Sequence, residues 1–138
     1  MGQKHQVIVM DGTADALDAI RRAFDRCCPD VTVLCHEYNS LETPTINAQT
    51  KLILIGHNLP EEEVLSIVKR FRSVKEAASV PVLILTDSDY KEVEGFYRCG
   101  VNSVLEVPKD EEAMNQLMAR LRNYWLDLNL SSPLSRRK

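Results

Sequence analysis

The chain alternates between short apolar runs and longer segments whose apolar positions recur every three or four residues. Five runs have the length and β-branched character of strands, and they cover 6–10, 31–35, 51–55, 82–86 and 103–107. The runs at 51–55 and 82–86 are apolar on both faces, which is typical of central strands covered by helices on both sides. The pattern therefore predicts a largely parallel sheet inside two helical layers.

Four segments carry the periodicity of amphipathic helices. They lie between Thr13 and Pro29, at about 61–78, at about 90–98, and from 108–110 to about 128. Thr13 is a predicted N-cap of the first helix, since its hydroxyl can accept a bond from a free amide of the first turn. The segment 36–50 has few apolar residues and is predicted to hold at best a short helix.

Strands that alternate with helices pair in parallel through right-handed crossovers. We therefore predict an α/β fold of the flavodoxin-like, doubly wound type, with five parallel strands in the order 2-1-3-4-5 and helices on both faces. One domain is expected over 1–130. Residues 131–138 are predicted to form a polar, basic, disordered tail.

The composition excludes several classes of protein. The 138 residues are 44% apolar and 27% charged, as in ordinary globular proteins, and a net charge of −3 argues against nucleic acid or an anionic membrane as partner. We find no apolar run long enough to span a membrane and no signal peptide, so a cytoplasmic protein is expected. No helix-turn-helix segment follows residue 130, so no DNA-binding output is expected within this chain. The four cysteines show no metal-ligand spacing and are expected to be reduced thiols. No cofactor is expected.

The ends of the predicted strands present few chemical groups. Asp11 follows the first strand, Gly56 the third and Thr86 the fourth, and Val107 ends the fifth. Ligands of such sheets bind at the carboxyl ends of the central strands. The third strand ends there at Gly56, which has no side chain for chemistry.

Four sequence blocks carry a resemblance to a known family. They are LILIGHNLP at 52–60, VPVLILT at 80–86, GVNSVLEVP at 100–108 and YWLDLN at 124–129. In this order the blocks resemble the receiver domains of two-component response regulators, the CheY-like fold, over about 6–130. The last block is similar to the helix extension of small stand-alone receivers found beside phytochrome-type sensor kinases.

The resemblance implies a phosphorylation pocket, and this chain departs from it. In the family an aspartate after strand three accepts a phosphoryl group, an acidic pair after strand one helps to hold Mg²⁺, and a threonine and a lysine contact the phosphoryl oxygens. Here the acceptor position is Gly56 and the lysine position is Val107, whereas Thr86 is retained. Of the acidic pair only Asp11 remains, which makes it a weak metal candidate. The chain is thus identified as a degenerate pseudo-receiver.

The resemblance also suggests what such a module does. We expect a non-enzymatic signalling module of two-component (phosphorelay) type, which docks a sensor histidine kinase, another receiver or an output protein and forms a homodimer. The predicted partner and dimer face comprises Tyr90, Val93, Tyr97, Leu105, Glu106, Tyr124 and Trp125. An alternative for the aromatic pair at 124–125 is that it caps the core at the end of the last helix.

Several rival interpretations remain open at this point. His57 could replace the lost acceptor, and Asp87 and Asp89 could rebuild an acidic pocket, although exposed histidines and turn-forming aspartates are common. A small ligand or nucleotide could bind at the strand ends, but the glycine-rich phosphate loop of such sites is missing after the first strand. An acyl-transfer or thiol enzyme needs a nucleophile–base pair, which the strand ends do not show.

Overall fold

The computed structural model describes residues 5–38, 46–56, 58–87 and 93–128. Five strands are present in these ranges: β1 Gln6–Asp11, β2 Thr32–Glu37, β3 Thr50–Ile55, β4 Val82–Thr86 and β5 Ser103–Glu106. Four α-helices accompany them: α1 Ala14–Cys27, α2 Glu61–Ser73, α3 Val93–Cys99 and α4 Glu111–Leu121. A 3₁₀ turn covers Lys75–Ala77, and a π-helical segment, Arg122–Leu128, continues α4.

The strands form one parallel sheet in the order β2-β1-β3-β4-β5. The order changes direction between β1 and β3, which places the topological switch point between these two strands. The predicted fold is confirmed, with strand boundaries that differ by one or two residues. The predicted tail at 131–138 lies outside the described residues.

Each face of the sheet buries its own core, because successive side chains of a strand point to opposite faces. Val9, Leu54 and Leu85 lie in the core beneath α1 and α4. Their neighbours along the chain, Ile8, Ile55 and Ile84, lie in the core beneath α2 and α3. The strands are apolar on both faces because each face contributes side chains to one of the two cores.

Two of the helices begin at a residue whose side chain caps the first turn. The Thr13 hydroxyl accepts a hydrogen bond from the amide of Ala16 at 3.2 Å, so the predicted N-cap of α1 is confirmed. Asp110 caps α4 in the same way, accepting from the amide of Ala113 at 2.7 Å. Among the residues that the structure describes, no helix is long and apolar enough to cross a membrane.

The helix predicted at 61–78 ends earlier, at Ser73. Val74 is extended, with ψ 127°, and the chain then makes the 3₁₀ turn. The Arg72 guanidinium donates to the carbonyls of Ala77 and Val80 at 2.9 and 2.7 Å. These bonds need a chain that folds back, so a tertiary contact replaces the last predicted turn. The segment 46–49 is not helical, and 39–45 lie outside the described residues.

Candidate functional site

Four predicted site residues lie along the carboxyl edge of the sheet. Asp11 and Thr86 are the last residues of β1 and β4, whereas Gly56 and Val107 directly follow β3 and β5. The amide of Gly56 donates to the carbonyl of Met10 at 2.7 Å, and the amide of Val107 donates to the carbonyl of Thr86 at 2.7 Å. The ladder therefore extends one residue past β3 and β5 and holds these positions in register.

The Asp11 side chain is completely buried and is held by three donors. Its Oδ1 accepts hydrogen bonds from the amide of Gly12 at 2.6 Å and from the amide of Asn58 at 3.0 Å. Its Oδ2 accepts a longer bond from the Asn58 side-chain amide at 3.4 Å. A buried carboxylate is costly unless its oxygens are hydrogen-bonded, and these donors meet that need.

The same carboxylate occupies the space beside Gly56. A Cβ atom built on Gly56 would lie 1.9 Å from Asp11 Oδ2 and 2.3 Å from its Cγ. Both distances are far below van der Waals contact, so any side chain at position 56 must push Asp11 away from its donors. Glycine at this position and the inward Asp11 are therefore two parts of one arrangement.

The turns after β1 and β3 also pack closely on each other. A Cβ on Gly12 would lie 2.1 Å from the carbonyl oxygen of Asn58 and 3.3 Å from Cδ2 of Leu59. The Leu59 side chain is buried. The described parts of these two turns are therefore in close contact between the ends of β1 and β3, where this fold usually binds its ligands.

The remaining two positions of the predicted site are Thr86 and Val107. Thr86 is buried, and Val107 is half-buried and packs against the core beneath α1 and α4. The side chain at 107 is thus an apolar contact in the position that the resemblance assigns to a lysine. Asp87 is exposed, and His57 and Asp89 lie outside the described residues.

The end of β2 adds one polar contact near this edge. The amide of Tyr38 donates to the carbonyl of Asp11 at 2.8 Å, and its phenol donates to the carboxylate of Glu63 on α2. This bond to Glu63, together with partial burial, raises the pKa of Tyr38 above its usual value. The contact joins β2 to α2 across the end of β1.

The cysteines and the described acidic residues are candidates for a possible second site. The four cysteines are free thiols, and burial raises the pKa of the Cys28 thiol, which makes it unreactive. Over the described ranges, no group of three or more histidine, cysteine or acidic side chains is arranged to hold a metal ion.

The predicted partner face is split between surface and core. Tyr97 is 46% exposed, Tyr124 is 57% exposed and Glu106 is exposed. Leu105 and Trp125 pack against the core beneath α1 and α4, and Val93 is half-buried. Tyr90 lies outside the described residues. The accessible part of the face is therefore formed by Tyr97, Glu106 and Tyr124.

Two aromatic contacts define this face further. The Tyr97 hydroxyl accepts a hydrogen bond from the amide of Val104 at 3.0 Å, so a side chain of α3 is tied to the backbone of edge strand β5. Tyr124 and Trp125 make an edge-to-face contact with ring centroids 4.9 Å apart. Trp125 packs against the core, as the capping alternative predicts, and Tyr124 is exposed, so a partner role for Tyr124 stays a prediction.

Sequence reasoning missed Asn58 and Arg72. Asn58 lies between the acceptor position and the proline of the LILIGHNLP block, and its role depends on the turn after β1 coming close. Arg72 is one of several basic residues on α2, and only the structure distinguishes it from the exposed Lys69. Both side chains bond to residues far away in the sequence, and a local sequence pattern does not predict such contacts.

Comparison with known proteins places this geometry in context. No protein-family model matches the chain. Chemotaxis protein CheY1 of Helicobacter pylori is 26% identical over 113 residues, which cover 80% of this chain and 91% of that protein. A response regulator from Hahella chejuensis superposes with a TM-score of 0.74 at 19% identity, covering 92% of this chain and 98% of the other.

The phosphorylated cyanobacterial phytochrome response regulator RcpA gives a TM-score of 0.73 at 18% identity, over 92% of this chain and 97% of its own. The chain has the CheY-like receiver fold. These superpositions cover nearly all of both chains. The position to which the resemblance assigns the phosphoryl acceptor lies directly after β3, and it holds Gly56.

Proposed function

We propose that this protein is a pseudo-receiver, a non-enzymatic module of two-component signalling that acts through protein–protein contacts without phosphorylation at the usual position. One observation carries the proposal. The acceptor position is Gly56, and the carboxylate of Asp11 lies where a side chain at that position would begin.

The chemistry of phosphoryl transfer supports this interpretation. A glycine has no oxygen on which an acyl phosphate could form. Mg²⁺ needs several oxygen ligands in octahedral geometry, whereas Asp11 is the one member of the acidic pair present here, and its Oδ1 already accepts bonds from the amides of Gly12 and Asn58. Val107 cannot supply the positive charge that stabilises a phosphoryl anion. Acceptor, metal site and phosphoryl contact are thus altered together, whereas the scaffold is intact.

The proposed partners are a sensor histidine kinase, another receiver or an output protein, with a second copy of the chain as the simplest case. The accessible side chains at Tyr97, Glu106 and Tyr124 support a docking face on α3, β5 and the end of α4. Tyrosine is enriched at the centres of interfaces. We place the module in the cytoplasm, where two-component partners would meet it.

A small-ligand or nucleotide site at the strand ends is the alternative. The close packing of Gly12 on Asn58 and the buried Leu59 count against it, since they fill the space that such a ligand would need. The fold alone then supports this alternative, and a fold does not specify a function.

A phosphorylation assay tests the proposal. The full chain is incubated with Mg²⁺ and a small acyl-phosphate donor, next to a phosphorylatable receiver as positive control, and its intact mass is measured. We expect the control to gain a phosphoryl group and this chain to remain unmodified. A Mg²⁺-dependent phosphoryl adduct on this chain would contradict the proposal.

A further inference from the structure

The Asp11 carboxylate joins the two turns that border the acceptor position. Through Oδ1 it binds the amide of its neighbour Gly12, in the turn after β1, and the amide of Asn58, in the turn after β3. Through Oδ2 it accepts from the Asn58 side chain. The buried Asp11 side chain therefore bonds directly to Asn58, which lies 47 positions later in the chain.

The backbone bonds of the same region do not depend on this side chain. The amide of Gly56 binds the carbonyl of Met10, and the amide of Tyr38 binds the carbonyl of Asp11. These bonds keep the strands aligned. The turn at Asn58 lies beyond the end of the ladder, and the carboxylate contacts it directly.

We propose that Asp11 is a built-in anionic occupant of the acceptor position, which clasps these two turns and fixes this end of the module in one conformation without a divalent cation or a phosphoryl group. The inference rests on the proposed pseudo-receiver function and extends it to regulation. This end of the module therefore keeps one conformation and presents the same surface to partners whether or not Mg²⁺ is present.

The physical argument concerns competition for the same oxygens. A cation at the end of β1 competes for the Asp11 oxygens: at Oδ1 it must displace the amides of Gly12 and Asn58, and at Oδ2 it meets the longer bond from the Asn58 side chain. Hydrogen bonds to a carboxylate are about twice as strong as bonds between neutral groups. Amides held by the sheet and its turns are already oriented, whereas a Mg²⁺ ion must lose part of its water shell to bind. The clasp is therefore favoured over the ion.

The glycines at 12 and 56 make the clasp possible. A side chain at 56 would overlap the carboxylate, and one at 12 would overlap the carbonyl of Asn58. Both positions lack a Cβ where the two turns approach most closely. A carboxylate side chain at position 56 and this conformation of Asp11 therefore exclude each other.

Amide hydrogen exchange measured by NMR on the full chain tests the clasp. In Asp11→Asn the side-chain oxygen remains, but the charge is lost and an NH₂ group faces the Asn58 side chain. We expect the amides of Gly12 and Asn58 to exchange at least about ten-fold faster, since each loses a charge-assisted bond. Asp15→Asn, a matched change of an exposed aspartate in the first turn of α1, should leave both rates unchanged.

The amides of Gly56 and Tyr38 are internal controls, because their acceptors are backbone carbonyls. Unchanged exchange at Gly12 and Asn58 in a folded Asp11→Asn variant would overturn the clasp and leave the pseudo-receiver proposal standing. Equal acceleration at all four amides would also overturn it, since it would indicate general loosening of the sheet edge.

Titration of the unmodified chain with Mg²⁺ alone provides a second test, which decides the matter if Asp11→Asn does not fold. We expect the amide shifts of Gly12 and Asn58 to stay constant up to millimolar Mg²⁺. A saturable shift at these amides would show that the ion displaces the clasp and would overturn the inference. The pseudo-receiver proposal fails separately, through a response that requires a phosphoryl group or its analogue in addition to Mg²⁺.

Discussion

The Asp11 carboxylate occupies the space that a side chain on Gly56 would need: a Cβ built on Gly56 would lie 1.9 Å from Asp11 Oδ2. The aspartate that the resemblance assigns to the metal site thus points toward the acceptor position and accepts hydrogen bonds there. Each of the two residues explains the other. A side chain at 56 excludes this Asp11 conformation, and this conformation of Asp11 excludes a side chain at 56.

Gly56→Ala should destabilise the protein by about 1–3 kcal/mol, because the new methyl group displaces a buried, hydrogen-bonded carboxylate. The cost should fall when Asp11→Ala has already removed that carboxylate. A double-mutant cycle by urea unfolding measures this coupling, which we expect to be about 0.5–3 kcal/mol. Additive effects of the two substitutions would show that the residues do not compete for the same space.

Gly56→Asp should make the protein respond to divalent cations. Two carboxylates at the ends of β1 and β3 repel each other, so the variant should be less stable than the parent without a cation. Mg²⁺ should then raise its melting temperature by relieving the repulsion. Thermal unfolding in Mg²⁺ and in a chelator tests this, with Gly56→Asn as the uncharged control of equal size. An equal Mg²⁺ response of both variants would contradict the expectation.

Replacement of Arg72, on α2, should lower the free energy of unfolding. Its guanidinium donates to the carbonyl of Gly100 at 3.1 and 2.7 Å and to the carbonyls of Ala77 and Val80. Lysine cannot reproduce this fork of donors, so Arg72→Lys should cost about 1–3 kcal/mol in urea unfolding.

Arg98→Lys is the matched control for Arg72→Lys. Arg98 is exposed and forms an ion pair with Glu94 on the same helix at 3.5 Å, so its replacement should change stability by less than about 0.5 kcal/mol. Similar costs for the two substitutions would show that the Arg72 contacts contribute little to stability.

Tyr97→Ala should weaken self-association. Tyr97 is 46% exposed and lies on α3 against β5, in the accessible part of the predicted face. If the chain forms a dimer through this face, the dissociation constant from sedimentation should rise about ten-fold or more. Leu34→Ala, at a 41% exposed residue of β2 on the opposite edge of the sheet, should leave it unchanged. The reverse result would place the interface elsewhere.

The sequence carries most of the fold because strand and helix signals are local. A run such as Leu52–Ile55 is apolar on both faces because its side chains enter the two cores alternately. Thr13 is an N-cap residue type and marks the start of α1 in the sequence. The parallel order then follows from alternation and handedness. The residues at the strand ends, including Asp11 and Gly56, could be located in the same way.

The contacts between distant segments could not be predicted. The early end of α2 depends on Arg72 reaching carbonyls that follow the helix, and the burial of Leu105 depends on its packing with α1 and α4. The conformation of Asp11 depends on Asn58, 47 residues later. Periodicity identifies which face of an element is apolar, but it does not show which polar groups of two turns will meet.

The central claim is that the acceptor position cannot take up a phosphoryl group. Beryllofluoride with Mg²⁺ imitates that group on an acceptor aspartate, and a titration followed by backbone amide NMR reports on Gly12, Gly56 and Thr86 directly. We predict no saturable shift at these amides, while a phosphorylatable receiver treated in parallel responds. Saturable, Mg²⁺-dependent shifts in this chain would contradict the account and would point to another carboxylate acting as acceptor.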